Sequence, residues 1–201
     1  MPEEGYVKFN CRHTHAPALP EEKLHELNAL RTDLVRAGLI GVYANGVGYG
    51  NVSMRWKGET FLVTATGTGH IPVLTPEGYS LVSQCDFDAN TVWCEGAMPA
   101  SSETMTHAAI YGASSMTACV VHIHHGGMYR MLMEGNAPTT QKDAAFGTPA
   151  MAYSVAELVR AHPADGVIAM AGHADGVLLY APSIEHMRDL LAMLAQGYIP
   201  V

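Results

Sequence analysis

The segment Val120-Val121-His122-Ile123-His124-His125 restricts the chain most. It is apolar and β-branched apart from its histidines, so Ala118 to His124 reads as a strand. Side chains alternate along a strand, which puts His122 and His124 on one face and Ile123 and His125 on the other. Two imidazoles at this spacing can share one metal ion. Two hydrogen-bonded core histidines are the plainer account of such a pair, and three histidines in one apolar run shift the weight toward metal.

The surroundings of this strand set the fold class. Leu24, Leu27, Leu30, Leu34 and Val35 recur at helical spacing between Pro20 and Gly38. Short strands are expected at Asn51–Arg55, Thr60–Thr64, Ser80–Phe87 and around Val92. Pro99-Ala-Ser-Ser should open a helix that runs to about Tyr111. A short helix near Met128–Met133, a loop from Gly135 to Gly147 and a helix from Pro149 to about His162 follow. Gly166–Ala171 and Val177–Tyr180 look like paired strands, and Ser183–Ala195 like a closing helix. Several connections are too short for crossovers, so the class is α/β (α+β), a helix-covered and mainly antiparallel central sheet. With 201 residues and no repeat or linker, one domain over 1–201 is expected.

Eleven Lys+Arg against nineteen Asp+Glu give a net charge of -8. No basic run is present to meet a phosphate backbone or an anionic membrane, which argues against nucleic acid and membrane partners. An anionic small molecule remains compatible, because helix N-termini and backbone amides bind phosphate without net positive charge. Cys11, Cys85, Cys94 and Cys119 form no Cys-x-x-Cys pair and read as reduced thiols. The acidic Met1-Pro-Glu-Glu-Gly start does not resemble a signal peptide, so a cytoplasmic location is expected.

Three protein ligands with an open position are the pattern of a catalytic metal site. Ala171-Gly172-His173, at the end of a later strand, could bring His173 to His122 and His124. Ser101-Ser102-Glu103 stands at a predicted helix start, where amides attract anions, although an ordinary helix cap has the same appearance. His107 could face Glu103 one turn later. Gly50-Asn51-Val52-Ser53 and Thr66-Gly67-Thr68-Gly69 offer amides and hydroxyls to an anion, and each alone also reads as a simple turn.

In this order, Gly50-Asn51-Val52-Ser53, Thr66-Gly67, Ser101-Ser102-Glu103 with His107, His122-Ile123-His124 and Gly172-His173 resemble the class II aldolase/adducin family. The resemblance spans roughly residues 21 to 196. It implies a three-layer class II aldolase-like fold, assembled as a homotetramer. By resemblance His122, His124 and His173 are the ligands of one divalent metal, zinc, and Glu103 is the acid/base carboxylate. Asn51, Thr66, Gly67, Ser101 and Ser102 match phosphate-binding positions.

The implied activity is aldol cleavage of a small phosphorylated ketose through a metal-stabilised enediolate. A pentulose-phosphate 4-epimerase, a decarboxylase and a non-catalytic adducin-like interaction module are the alternatives. Epimerases of the family usually carry Asp where Glu103 stands, which favours the aldolase. Two departures bear on the substrate. His173 is followed by Ala174-Asp175-Gly176 where sugar-phosphate aldolases place glycine directly after the ligand. The sequence also ends soon after its last expected helix, where those aldolases often carry an extension that contributes a tyrosine proton donor, and Tyr129, Tyr153, Tyr180 and Tyr198 stand as candidates that the sequence does not separate.

Overall fold

A computed structural model describes residues 7–198, and the acidic Met1–Gly5 start lies outside them. The chain opens with β1 (Asn10–His15), α1 (His25–Arg36), β2 (Gly41–Val42) and β3 (Gly48–Tyr49). It continues through β4 (Asn51–Arg55), β5 (Phe61–Thr64), β6 (Tyr79–Asp86), β7 (Thr91–Gly96) and α2 (Thr104–Ala113). The second half holds β8 (Cys119–His124), α3 (Gly126–Glu134), α4 (Pro149–Ala161), β9 (Gly166–Ala169), β10 (Gly176–Ala181) and α5 (Ile184–Ala195).

Eight strands form one sheet in the order β1-β7-β6-β5-β4-β8-β10-β9, and β2 and β3 pair separately. Every neighbouring pair in the large sheet is antiparallel except β1 with β7. Central β8 is buried along its whole length. Its alternation splits the core into two layers. Val120 packs with Ile110 of α2 and Met151 and Val155 of α4. Val121 and Ile123 pack on the other face with Leu27 and Leu30 of α1, Leu132 of α3 and Leu190 of α5. Each fully buried leucine among these contributes about 1.5–3 kcal/mol relative to exposure. The result is the helix-covered, mainly antiparallel sheet expected from the strand and loop lengths, in the three-layer arrangement that the family resemblance implied.

Two readings change. The helix expected from Pro99 starts at Thr104, because the backbone before it is used elsewhere: Thr66 N–H donates to Pro99 O at 2.9 Å and Ser101 N–H to Thr64 O at 3.2 Å. Pro99 to Ser101 therefore runs beside the end of β5 as extended chain. β1 and the β2–β3 hairpin are additional to the expected strands. No helix among the described residues is long and apolar enough to cross a membrane.

Candidate metal centre

His122 and His124 leave the same face of β8 near its C-terminal end, as period two requires. His173 reaches them from the turn between β9 and β10. That turn is tight: His173 N–H donates to Met170 O at 2.9 Å, and Gly176 N–H to His173 O at 3.0 Å. Gly172 is needed just before His173, since a Cβ there would lie 1.8 Å from Ala144 O. The backbone approach binds the 141–147 loop to the histidine turn. Phe146 in that loop lies over the His173 ring, centroids 4.6 Å apart, and the Lys8 ammonium sits 3.5 Å from the Phe146 centroid.

The three imidazoles converge. His124 Nε2 is 3.0 Å from both His122 Nε2 and His173 Nε2, and the possible ligand atoms all lie within 4.8 Å of one another. Burial lowers all three pKa values, that of His122 to about 4, so the rings are neutral at pH 7. For His124 the two neighbouring histidines add to the burial effect, and for His173 His122 and Lys8 do. His122 Nδ1 lies 3.2 Å from Val177 O, and a carbonyl only accepts, so the proton of His122 is on Nδ1 and its Nε2 presents a lone pair. A single proton on His124 Nε2 can point at one neighbour only. A cation would satisfy all three nitrogens at once. Tetrahedral ligation at normal zinc–nitrogen distances separates such atoms by about 3.3 Å, close to the spacing here. The residues fit a divalent metal.

These histidines lie in a cleft of about 280 Å³ that is also lined by Asn51, Thr66, Gly67, Ser101, Ser102 and Glu103. Asn51 opens β4 directly across the ladder from His122. Gly50 before it has φ +75°, and a Cβ there would lie 3.1 Å from His122 O. Thr66 and Gly67 follow β5. Beneath their loop the buried Arg31 guanidinium of α1 donates to Thr68 O at 2.7 Å, Pro72 O at 3.0 Å and Ile71 O. Glu103 is 2% exposed at the N-cap position of α2, and its Oε2 accepts from Thr106 Oγ1 at 2.6 Å.

A model of the class II aldolase and adducin N-terminal domain matches residues 43–196, most of the chain. The chain belongs to the class II aldolase and adducin family.

Solved structures agree on the fold. YgbL from Klebsiella pneumoniae, for which aldolase, epimerase and decarboxylase activity are all kept open, superposes with TM-score 0.65 at 16% identity, covering 89% of this chain and 88% of that one. The L-fuculose-1-phosphate aldolase of Thermus thermophilus gives 0.56 at 23% identity over 90% and 100% of the two chains. A sugar-phosphate aldolase from Thermotoga maritima gives 0.55 at 16% over 90% and 98%. No curated protein matches the chain significantly.

Within this family member His107 does not turn to Glu103. Its Nδ1 lies 2.6 Å from Ser53 Oγ, which is 2.8 Å from Tyr111 OH, while Nε2 has no hydrogen-bond partner among the described residues. Burial, with His122 nearby, lowers the His107 pKa to about 3. None of the four tyrosines considered from the sequence is among the cleft-lining residues. Tyr180 OH donates to His162 O at 2.6 Å, and Tyr153 OH to Asp88. Tyr49 lines the cleft, and Tyr43 OH is 3.0 Å from His124 Nδ1. The Asn45-Gly46 turn between them was the available signal.

Proposed function

We propose that the chain is a metal-dependent aldehyde-lyase that cleaves a small phosphorylated ketose by retro-aldol chemistry. The observation that carries this reading is the convergence of three neutral imidazoles and a buried carboxylate in one small cleft. His122, His124 and His173 would hold one divalent ion, zinc by its preference for nitrogen donors in a three-ligand open site. When bound, the ion supplies Lewis-acid stabilisation of negative charge on substrate oxygens.

The protein groups divide the remaining work. Glu103 holds and moves the proton at the substrate carbon whose bond breaks, a task its position beside the histidines suits. Thr106 fixes one carboxylate oxygen. Thr66, Gly67, Ser101 and Ser102 take the phosphate: Gly67 has φ +72°, a turn conformation that exposes backbone amides, and the serines add hydroxyl donors. Asn51 orients the substrate from the strand beside His122. A cleft of this size holds a small molecule.

A non-catalytic interaction module would not need the inward orientation that Val177 O imposes on His122. The family resemblance further leads us to propose a cytoplasmic protein that is a homotetramer, an assembly that sedimentation velocity would test. The deciding assay is release of dihydroxyacetone phosphate or glycolaldehyde phosphate from a panel of ketose phosphates by zinc-loaded protein. Release from at least one ketose phosphate is expected. Metal binding without release from any of them would move the assignment to epimerisation or decarboxylation.

A further inference from the structure

We infer that Tyr43 is a positioning residue for the metal centre, fixing the tautomer and ring orientation of His124 through its phenol oxygen. The inference rests on the proposed metal reading and goes beyond it, because it concerns a side chain outside the ligand set. His124 is the middle member of the triad: its Nε2 is 3.0 Å from each of the other two Nε2 atoms. Any rotation of this ring disturbs both separations.

A neutral imidazole that offers Nε2 to a cation carries its proton on Nδ1, and that proton needs an acceptor. For His122 the acceptor is Val177 O. For His124 it is the Tyr43 hydroxyl oxygen, 3.0 Å from Nδ1. One ligand is thus held by the sheet backbone and the other by a side chain.

The hairpin carrying Tyr43 is built to hold that oxygen still. Gly41 pairs with Tyr49 and Val42 with Gly48, and Tyr43 N–H donates to Val47 O at 2.8 Å. The rings of Tyr43 and Tyr49 pack at 4.5 Å, and Tyr49 OH donates to Gly38 O at 3.3 Å. The hairpin also lies against the 66–69 loop so closely that a Cβ on Gly69 would sit 2.3 Å from Gly41 O. Leu39, just before the hairpin, accepts the His124 backbone N–H at 3.1 Å. The hairpin and the segment leading into it therefore hold His124 by both ring and backbone, and the phenol is the part that sets the tautomer.

The test is zinc affinity of the full chain, read by competition with a chromophoric chelator, for wild type, Tyr43→Phe and Tyr49→Phe. Tyr43→Phe keeps the ring packing and removes one oxygen, and near-ultraviolet circular dichroism of the metal-free proteins reports whether the fold is kept. Loss of such an outer partner typically weakens metal binding by about 10–100-fold, which is the shift expected for Tyr43→Phe. Tyr49→Phe should stay within about twofold of wild type, since its hydroxyl meets no ligand ring. The absorption of the cobalt(II)-substituted proteins should change in Tyr43→Phe alone. If wild type binds zinc and Tyr43→Phe binds it equally well, the role of Tyr43 is overturned while the metal reading stands. If wild type binds no zinc, both fall.

Discussion

Asn51 and His122 stand directly opposite one another on β4 and β8. The candidate substrate-orienting amide and a candidate metal ligand are therefore separated by one rung of a hydrogen-bonded ladder, and their spacing is a property of the sheet rather than of a loop. Replacing Asn51 by Asp changes the charge there at almost constant shape. A carboxylate at this point would repel a phosphorylated substrate. KM for the ketose phosphate should rise about tenfold or more, as expected for a like-charge contact in a partly desolvated cleft, with metal content unchanged. Steady-state kinetics beside metal analysis would check it, and an unaltered KM would remove Asn51 from the substrate site.

Glu103→Gln keeps the size of the side chain and its contact with Thr106 but cannot carry the proton. Turnover should fall by about 10²- to 10⁴-fold, the usual contribution of a general acid/base, while zinc remains bound. Loss of zinc together with turnover would instead make Glu103 a ligand.

Much of this was legible in the sequence because it rests on local periodicity. Alternation along Val120–His124 placed two imidazoles on one face, and leucine spacing from Leu24 to Leu34 gave α1, which ends before Gly38 at φ +71°. What escaped depends on partners distant in sequence. β1 has the polar sequence Asn-Cys-Arg-His-Thr-His and exists as a strand because it pairs with β7, about eighty residues later. Pro99-Ala-Ser-Ser has the local chemistry of a helix start, yet its backbone pairs with Thr64–Thr66, a tertiary choice that overrides the local one. The strands around Asn45-Gly46 are two residues long, too short to show alternation, so Tyr43 could not be connected to His124.

Gly172→Ala tests how the third histidine is held. The added methyl would meet a backbone carbonyl, Ala144 O, which cannot move without shifting the Phe146 loop. Overpacking of this kind costs about 1–3 kcal/mol. Urea unfolding should show a lowered midpoint, and zinc affinity should fall because His173 is displaced. Wild-type stability and affinity would contradict this account of the turn.

Buried His107 and His122 should make the metal-free protein sensitive to mild acid. Their folded pKa values, lowered to about 3 and about 4, lie below the ordinary value near 6.5. The unfolded chain therefore binds more protons as pH falls, so their contribution is fully present above pH 6.5 and is lost progressively below it. The slope is about 1.4 kcal/mol per pH unit for each such group. His124 and His173 are shifted in the same direction by burial and add to the effect. Urea midpoints at pH 7.5, 6.5 and 5.5 should be close for the first two and clearly lower for the third. A flat profile would mean that these imidazoles are hydrated.

The most direct test of the central claim is the metal content of purified wild-type protein beside His124→Ala after zinc loading and gel filtration. His124 is the member that approaches both other imidazoles, so its removal leaves two nitrogens and no centre. The account predicts about one zinc per chain in wild type and almost none in His124→Ala. Retention of one zinc by the variant, or none in wild type, would contradict it.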